Sequence, residues 1–151
     1  MEKEKNQFNI LQAEEPARLA QLAKAANISQ FIHVSALGCD KVLTSEYAIS
    51  KFAGEHNVLK HFADACIIRP SIIFGPEDDF FNRFAKMAKF SPFLPLVHNG
   101  ATKFQPVYVE DVAHGIFEVI RLNQQGKIFE FAGPSIYNFK FLLEYILKLT
   151  H

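Results

Sequence analysis

Apolar positions recur along the chain with helical and strand-like rhythms that alternate. Leu19, Leu22, Ala23 and Ala26 fall at i, i+3, i+4 and i+7, the one-sided stripe of an amphipathic helix. Pro16 opens that helix at a first position, where its missing N–H costs nothing, and Asn27 stops it. Residues 1–14 ahead of it carry weak order. Phe31-Ile32-His33-Val34 is almost wholly apolar, as in a strand buried on both faces of a parallel sheet. A loop from Ser35 to Leu43 leads to Thr44 or Ser45, which caps a second helix with Tyr47 to Phe62 as its body. Ala65 to Arg69 reads as another buried strand, ended by Pro70, and Ser71 to Asp79 as a loop around the Gly75-Pro76 turn.

The second half is more mixed. Phe80 to Lys89 fits a short helix, Ser91 to Leu96 is Pro-rich and irregular, and Phe104 to Val109 is a strand broken at Pro106. Asp111 caps or opens a helix reaching Leu122. Lys127 to Phe131 is a strand, Gly133-Pro134 a turn, and Asn138 caps a last helix over Phe139 to Leu149. Strands separated by helices predict βαβ units and a parallel sheet. Two good strands make a poor sheet, so the pattern reads as part of a doubly wound α/β fold. The expected division is 1–76, the C-terminal part of a Rossmann-like domain, and 77–151, a smaller mixed α/β subdomain interleaved with it.

Composition narrows the function classes. The 151 residues are enough for a real core, and 49% hydrophobic with 21% charged is ordinary for a globular protein. Zero net charge gives no general pull toward nucleic acid or an anionic membrane by electrostatics alone. No apolar run reaches transmembrane length, and the charged start, Met1 to Lys5, does not resemble a signal peptide. Cys39 and Cys66 make no disulfide framework and have no partner at zinc-ligand spacing, so no metal is expected. The 16 Phe cluster, as in Phe80, Phe81 and Phe84, or Phe90 and Phe93. They read as a Phe-built core, or in part as cover for a partner surface.

Tyr47 and Lys51 are four apart on one helix face. A phenol with pKa ~10 is a poor acid–base at neutral pH. An ammonium about 5 Å away stabilises the phenolate by roughly 3 kcal/mol at an effective dielectric of ~20. That equals about two pKa units, which brings the phenol into range for proton exchange with a carbonyl or alcohol. The ammonium can also donate to ribose hydroxyls. Elsewhere, Asp111 reads as a helix cap rather than a catalytic carboxylate, Glu77-Asp78-Asp79 as a solvated loop or first helical turn rather than a cation site, and Arg69 as paired to a carboxylate or, less favoured, meeting an anionic substrate. The cysteines read as packing residues.

Several ordered motifs carry a resemblance. Phe31-Ile-His-Val-Ser-Ala-Leu-Gly38 resembles the fifth strand end of short-chain dehydrogenases/reductases, and Tyr47-Ala-Ile-Ser-Lys51 followed by Ala53-Gly54-Glu55 their Tyr-x-x-x-Lys helix. Ile67 to Pro76 resembles the next strand and the loop under the nicotinamide. Gln105 to Ala113 resembles the strand and Asp-Val-Ala helix of the extended branch, the NAD-dependent epimerase/dehydratase family. His33 to Gly38 and Phe74 to Phe84 are similar to the atypical group that holds the accessory NAD(P)H-binding subunit of respiratory complex I and its bacterial relatives. The resemblance implies Tyr47 and Lys51 as catalytic residues, with Ser35 either a third member or a backbone-tidying hydroxyl. It implies NAD or NADP held by Lys51, Tyr47, Pro70, Ser71 and Ile72. It further implies a place in the bacterial cytoplasm or, peripherally, on the matrix side of an inner membrane.

The family's Gly-x-x-Gly-x-x-Gly phosphate turn has no counterpart among the seven widely spread glycines. The expectation is therefore that the chain alone binds no dinucleotide and is marginally stable. Three readings stay open: an NAD(P)-dependent oxidoreductase or epimerase, a non-catalytic assembly subunit of a respiratory complex, or one part of a split protein that needs a separate N-terminal fragment.

Overall fold

The computed structural model describes residues 7–42, 44–91 and 93–151. The charged start, Leu43 of the first loop and Pro92 of the Pro-rich stretch lie outside these. The chain forms two compact units, Met1–Pro70 with His114–Phe131, and Ser71–Ala113 with Ala132–His151. The sequence places the division at residue 76. The structure breaks after Pro70 and returns to the first unit after Ala113, because a late strand pairs beside an early one.

In the first unit, β1 (Ile32–Val34), β2 (Cys66–Pro70) and β6 (Ile128–Phe131) form a parallel sheet in the order β1-β2-β6. Ile32 pairs with Cys66, and Ile67 with Ile128. Helices α1 (Glu15–Ala25) and α2 (Glu46–His61) cover one face. There Ala20, Val58, Phe62, Ala65 and Ile67 form a buried cluster. Cys66 and Ile68 point the other way, against Val119 and Ile116 of α4 (Val109–Arg121). Both faces of β2 are thus buried, as its unbroken apolar sequence requires.

Ser45 caps α2 by accepting the Ala48 N–H at 3.4 Å, as expected. The first helix departs from expectation. Residues 7–9 are already helical, and a π-helical turn over Ile10–Glu14 leads into α1. Pro16 therefore lies within a longer helix. It has no N–H for the Gln12 carbonyl, and the wide turn absorbs this, with the Glu15 N–H reaching Ile10 O. The buried face is Ala13, Ala20 and Ala23; Leu19 and Leu22, expected inward, are each 57% exposed. Small residues win the inner face because the helix approaches α2 closely. A Cβ on Gly54 of α2 would overlap the Gln12 carbonyl, and the Asn57 amide donates to Ala13 O at 3.2 Å. Gly54→Ala is accordingly expected to destabilise by about 1–3 kcal/mol through overpacking. Urea unfolding measures this, and a cost below about 0.5 kcal/mol would refute the close approach.

The second unit holds two small ladders: β3 (Ile73–Phe74) parallel to β5 (Val107–Tyr108), and β4 (Lys103–Phe104) antiparallel to β7 (Tyr137–Asn138). β3 and β7 are too short for any sequence period to reveal. Helices α3 (Phe81–Ala88) and α5 (Phe139–Thr150) share a core of Ala88, Phe139, Leu143 and Ile146 with Phe80, Phe81, Phe84 and Phe104 packed against it. The Phe-built core expected from composition is here. Asn138 caps α5 by accepting the Phe141 N–H at 2.7 Å. Asp78 does the same for α3 from outside it, accepting the Phe81 and Asn82 N–H groups, which gives the Glu77-Asp78-Asp79 run its helix-opening role. Asp111 lies in the first turn of α4, which begins two residues earlier than Asp111 itself would set. Among the described residues no helix is long and apolar enough to cross a membrane.

Candidate functional site

The candidate site gathers at the C-terminal end of β1, where open parallel sheets bind ligands. Hydrogen bonds from Cys66 N–H to Phe31 O at 2.9 Å and from Ser35 N–H to Ile68 O at 2.7 Å show that odd-numbered residues of β1 face β2. Ile32 and Val34 therefore turn their backbone groups to the outer edge. Lys51 reaches that edge from α2, and its ammonium donates to Val34 O at 3.2 Å. Tyr47, one turn earlier, is half-exposed, and its ring centroid lies 6.0 Å from Lys51 Nζ. Phe8 packs edge-on to the Tyr47 ring at 6.2 Å, a contact that the weak pattern of residues 1–14 gave no hint of.

The structure brings Tyr47 and Lys51 together as the spacing predicts, with different electrostatics. Burial pushes the Tyr47 phenol up from its ordinary value, and the nearby Cys39 adds to this. Burial lowers Lys51, against smaller opposing effects of Cys39 and Glu55. The expected downward pull of Lys51 on the phenol is absent from this arrangement, because the ammonium is bonded to Val34 O and lies toward the ring.

Ser35 ends β1 fully inside. Its hydroxyl lies 3.5 Å from Cys39 Sγ, and that thiol donates to Glu55 Oε1 at 3.2 Å. Glu55 in turn accepts two bonds from Arg69, Nε to Oε1 at 2.9 Å and Nη2 to Oε2 at 2.7 Å. Arg69 Nη1 also meets Asp40 Oδ2 at 2.8 Å. Burial raises Glu55, but hydrogen bonds from Arg69 and its charge outweigh that and hold the carboxyl below its usual range. The same bonds raise Arg69 further, with burial opposing. Burial pushes the Cys39 thiol up, so it sits protonated and packed. Arg69 is paired to carboxylates, as expected, and the cluster ties the loop after β1 to α2 and β2. Sequence reading found the Arg but not its partners. Glu55 carried the only signal, as a carboxylate beside Ala48, Ser50, Gly54 and Val58 on the otherwise uncharged inner face of α2.

His33 was legible only as part of an apolar strand. Its side chain is 9% exposed, and Nε2 is buried with no hydrogen-bond partner among the described residues. Burial first, then Lys51, lowers its pKa to about 4, with Glu55 opposing.

Pro70 is the buried last residue of β2, its carbonyl accepting the Leu37 N–H at 2.9 Å. Ser71 and Ile72 open the second unit, where Ile72 O accepts the Val107 N–H at 3.0 Å. That unit also has a cavity of about 640 Å³ bordered by Phe74, Phe81, Pro106, Tyr137, Phe141 and Tyr145, with no charged side chain in its lining. Such a lining suits an apolar group and offers no cation to a diphosphate. Of a dinucleotide, the residues at β1 fit the nicotinamide ribose, through a lysine donor beside a tyrosine. No glycine turn at a helix start among the described residues cradles a pyrophosphate.

Residues 3–138 match the NAD dependent epimerase/dehydratase family. The chain belongs to this family. It is 44% identical over 138 residues to the mitochondrial NADH dehydrogenase (ubiquinone) 1 alpha subcomplex subunit 9 of Mus musculus, covering 90% of this chain and 36% of that protein. The corresponding subunit of Dictyostelium discoideum is 35% identical, with 89% and 37% covered. The chain thus spans little more than a third of these relatives. Among solved structures, a dTDP-glucose 4,6-dehydratase from Streptomyces venezuelae, with NAD and TYD bound, superposes with a TM-score of 0.85 at 21% identity. It covers 95% of this chain and 51% of that one, and shows the epimerase/dehydratase fold.

Proposed function

We propose that this chain supplies the Tyr47–Lys51 side of an NAD(P) site, which another segment or polypeptide carrying the glycine-rich phosphate turn completes. The observation that carries the reading is the placement of Lys51 and Tyr47 at the C-terminal end of an edge strand. Lys51 donates to the ribose, and Tyr47 flanks the nicotinamide. Among the described residues there is no pyrophosphate cradle, and the expected result is that the chain alone does not turn over. The bound dinucleotide would supply hydride chemistry; the chain's own part is to orient the ribose and hold a proton on the Tyr47 oxygen.

A second observation favours a non-catalytic part in an assembly of the NADH:quinone oxidoreductase type, peripheral to its membrane. Ser35 is engaged with Cys39 inside the fold, and the Tyr47 phenol lies above its ordinary pKa, so neither is primed for proton transfer.

NADH fluorescence titration tests both. The chain alone is expected to show no binding. Mixed with the N-terminal part of the mouse relative, it should gain binding that Lys51→Met weakens about tenfold or more, the scale of one lost charged hydrogen bond. Micromolar binding by the chain alone, or an unchanged affinity in Lys51→Met, would overturn the proposal. If the reunited protein reduces no carbonyl substrate and Tyr47→Phe leaves NADH affinity intact, the assembly reading stands over the catalytic one.

A further inference from the structure

Of Phe80, Phe81, Phe84, Phe90 and Phe93, the last two are not in any core. Phe90 is 93% exposed and Phe93 85%. They follow α3, whose inner face of Phe81, Phe84, Ala85 and Ala88 is packed against α5. Its outer face carries Arg83, Lys86 and Met87, at i, i+3 and i+4, and Phe90 continues the series at i+7. All four are exposed, as is Lys89. Between Phe80 and Val109 the sequence has Arg83, Lys86, Lys89 and Lys103 and no Asp or Glu, in a chain whose net charge is zero. Among the described residues no carboxylate pairs with Arg83, Lys86 or Lys89.

The aromatic tip is also held in place. Ala88 on one side is fully buried, and Leu94 on the other packs into the same core. Ser91 Oγ accepts the Phe93 N–H at 3.1 Å and donates to Phe93 O at 3.1 Å. Two large aromatic side chains are thus exposed at the end of a basic helix face that carries no acidic residue of its own. Exposing them in water is unfavourable unless something apolar receives them. Protein interface cores are depleted in lysine, whereas aromatic residues beside lysines match the boundary between anionic headgroups and acyl chains.

We propose that the end of α3 and the loop after it form a docking surface for an anionic lipid bilayer, with Phe90 and Phe93 entering the acyl boundary and Arg83, Lys86 and Lys89 meeting the headgroups. The surface belongs to the second unit and does not depend on the dinucleotide reading.

The chain contains no tryptophan, so Phe93→Trp places a single indole at the tip. With phosphatidylcholine–phosphatidylglycerol vesicles at low salt, its emission should shift to the blue, brominated acyl chains should quench it, and the protein should sediment with the vesicles. Pure phosphatidylcholine should leave the emission unchanged. Adding Lys86→Glu and Lys89→Glu, both on exposed side chains, should weaken binding more than about tenfold, since one basic residue near such a surface contributes about fivefold. Unchanged emission with the anionic vesicles would overturn the proposal, as would equal binding by the charge-reversed variant. A blue shift that grows with protein concentration and needs no vesicles would also overturn it, and would assign the tip to a second copy of the chain.

Discussion

Arg69→Ala is expected to remove about 3–5 kcal/mol of stability, a large share of the roughly 5–15 kcal/mol that holds a domain together. The size follows from what is left behind. The Arg69 and Glu55 side chains are 8% and 3% exposed, and Arg69 satisfies both Glu55 oxygens as well as Asp40. Its loss strands a buried carboxylate that the Cys39 thiol alone cannot satisfy. Removing both charges is a different matter: Arg69→Leu with Glu55→Leu discards the desolvation cost together with the attraction, and should recover much of the loss. Urea unfolding followed by circular dichroism at neutral pH measures both variants. A single-variant cost below about 1 kcal/mol, the range of a surface pair, would show that the cluster is solvated.

Acid should weaken the first unit in two separate steps. His33 stays neutral in the fold down to about pH 4, whereas in the unfolded chain it takes a proton near its ordinary value of 6.5. The unfolded state therefore binds more protons between these values, and stability falls as pH falls through that window. The full shift corresponds to about 3 kcal/mol. Glu55 acts lower down. Its folded-state pKa is depressed, so its contribution is complete above the ordinary carboxylate value and is lost as pH falls through the folded value. His33→Asn should flatten the melting temperature between pH 6.5 and about 4 while leaving the more acidic step in place. An unchanged pH profile in that variant would mean that His33 is hydrated or hydrogen-bonded in solution.

Much of this architecture was legible because its signals are local. Ser45 and Asn138 cap where expected, Asn27 takes a left-handed φ of 53° at the helix end, and the Phe31, Ala65 and Lys127 runs become the three sheet strands. The family motifs placed Tyr47 and Lys51 on one face, and they lie there. What sequence missed is non-local. Leu19 and Leu22 outweigh alanine on any hydrophobic scale, yet Ala20 and Ala23 face inward onto Val58, Phe62 and Ile67, and the π-helical turn ahead of α1 lies so close to Gly54 that a Cβ there would overlap its backbone. Arg69, Glu55, Cys39 and Ser35 are scattered over 35–69 and converge only once β1, α2 and β2 are assembled. The lowered phenol pKa failed for a similar reason. The spacing fixed where Lys51 starts, and the carbonyl of Val34, far off in sequence, decided where its ammonium ends.

That carbonyl has a further consequence. An edge strand as apolar as β1 is a template for unwanted pairing between molecules, and a lysine laid across such an edge is a common guard against it. Lys51 fills this post by occupying Val34 O. A strand added in register along β1 would bring its own N–H to Val34 O and displace the ammonium. Extending the sheet and freeing Lys51 for a ligand are therefore one event: until the edge is covered, the same side chain that would hold a ribose is kept busy holding other sheets away.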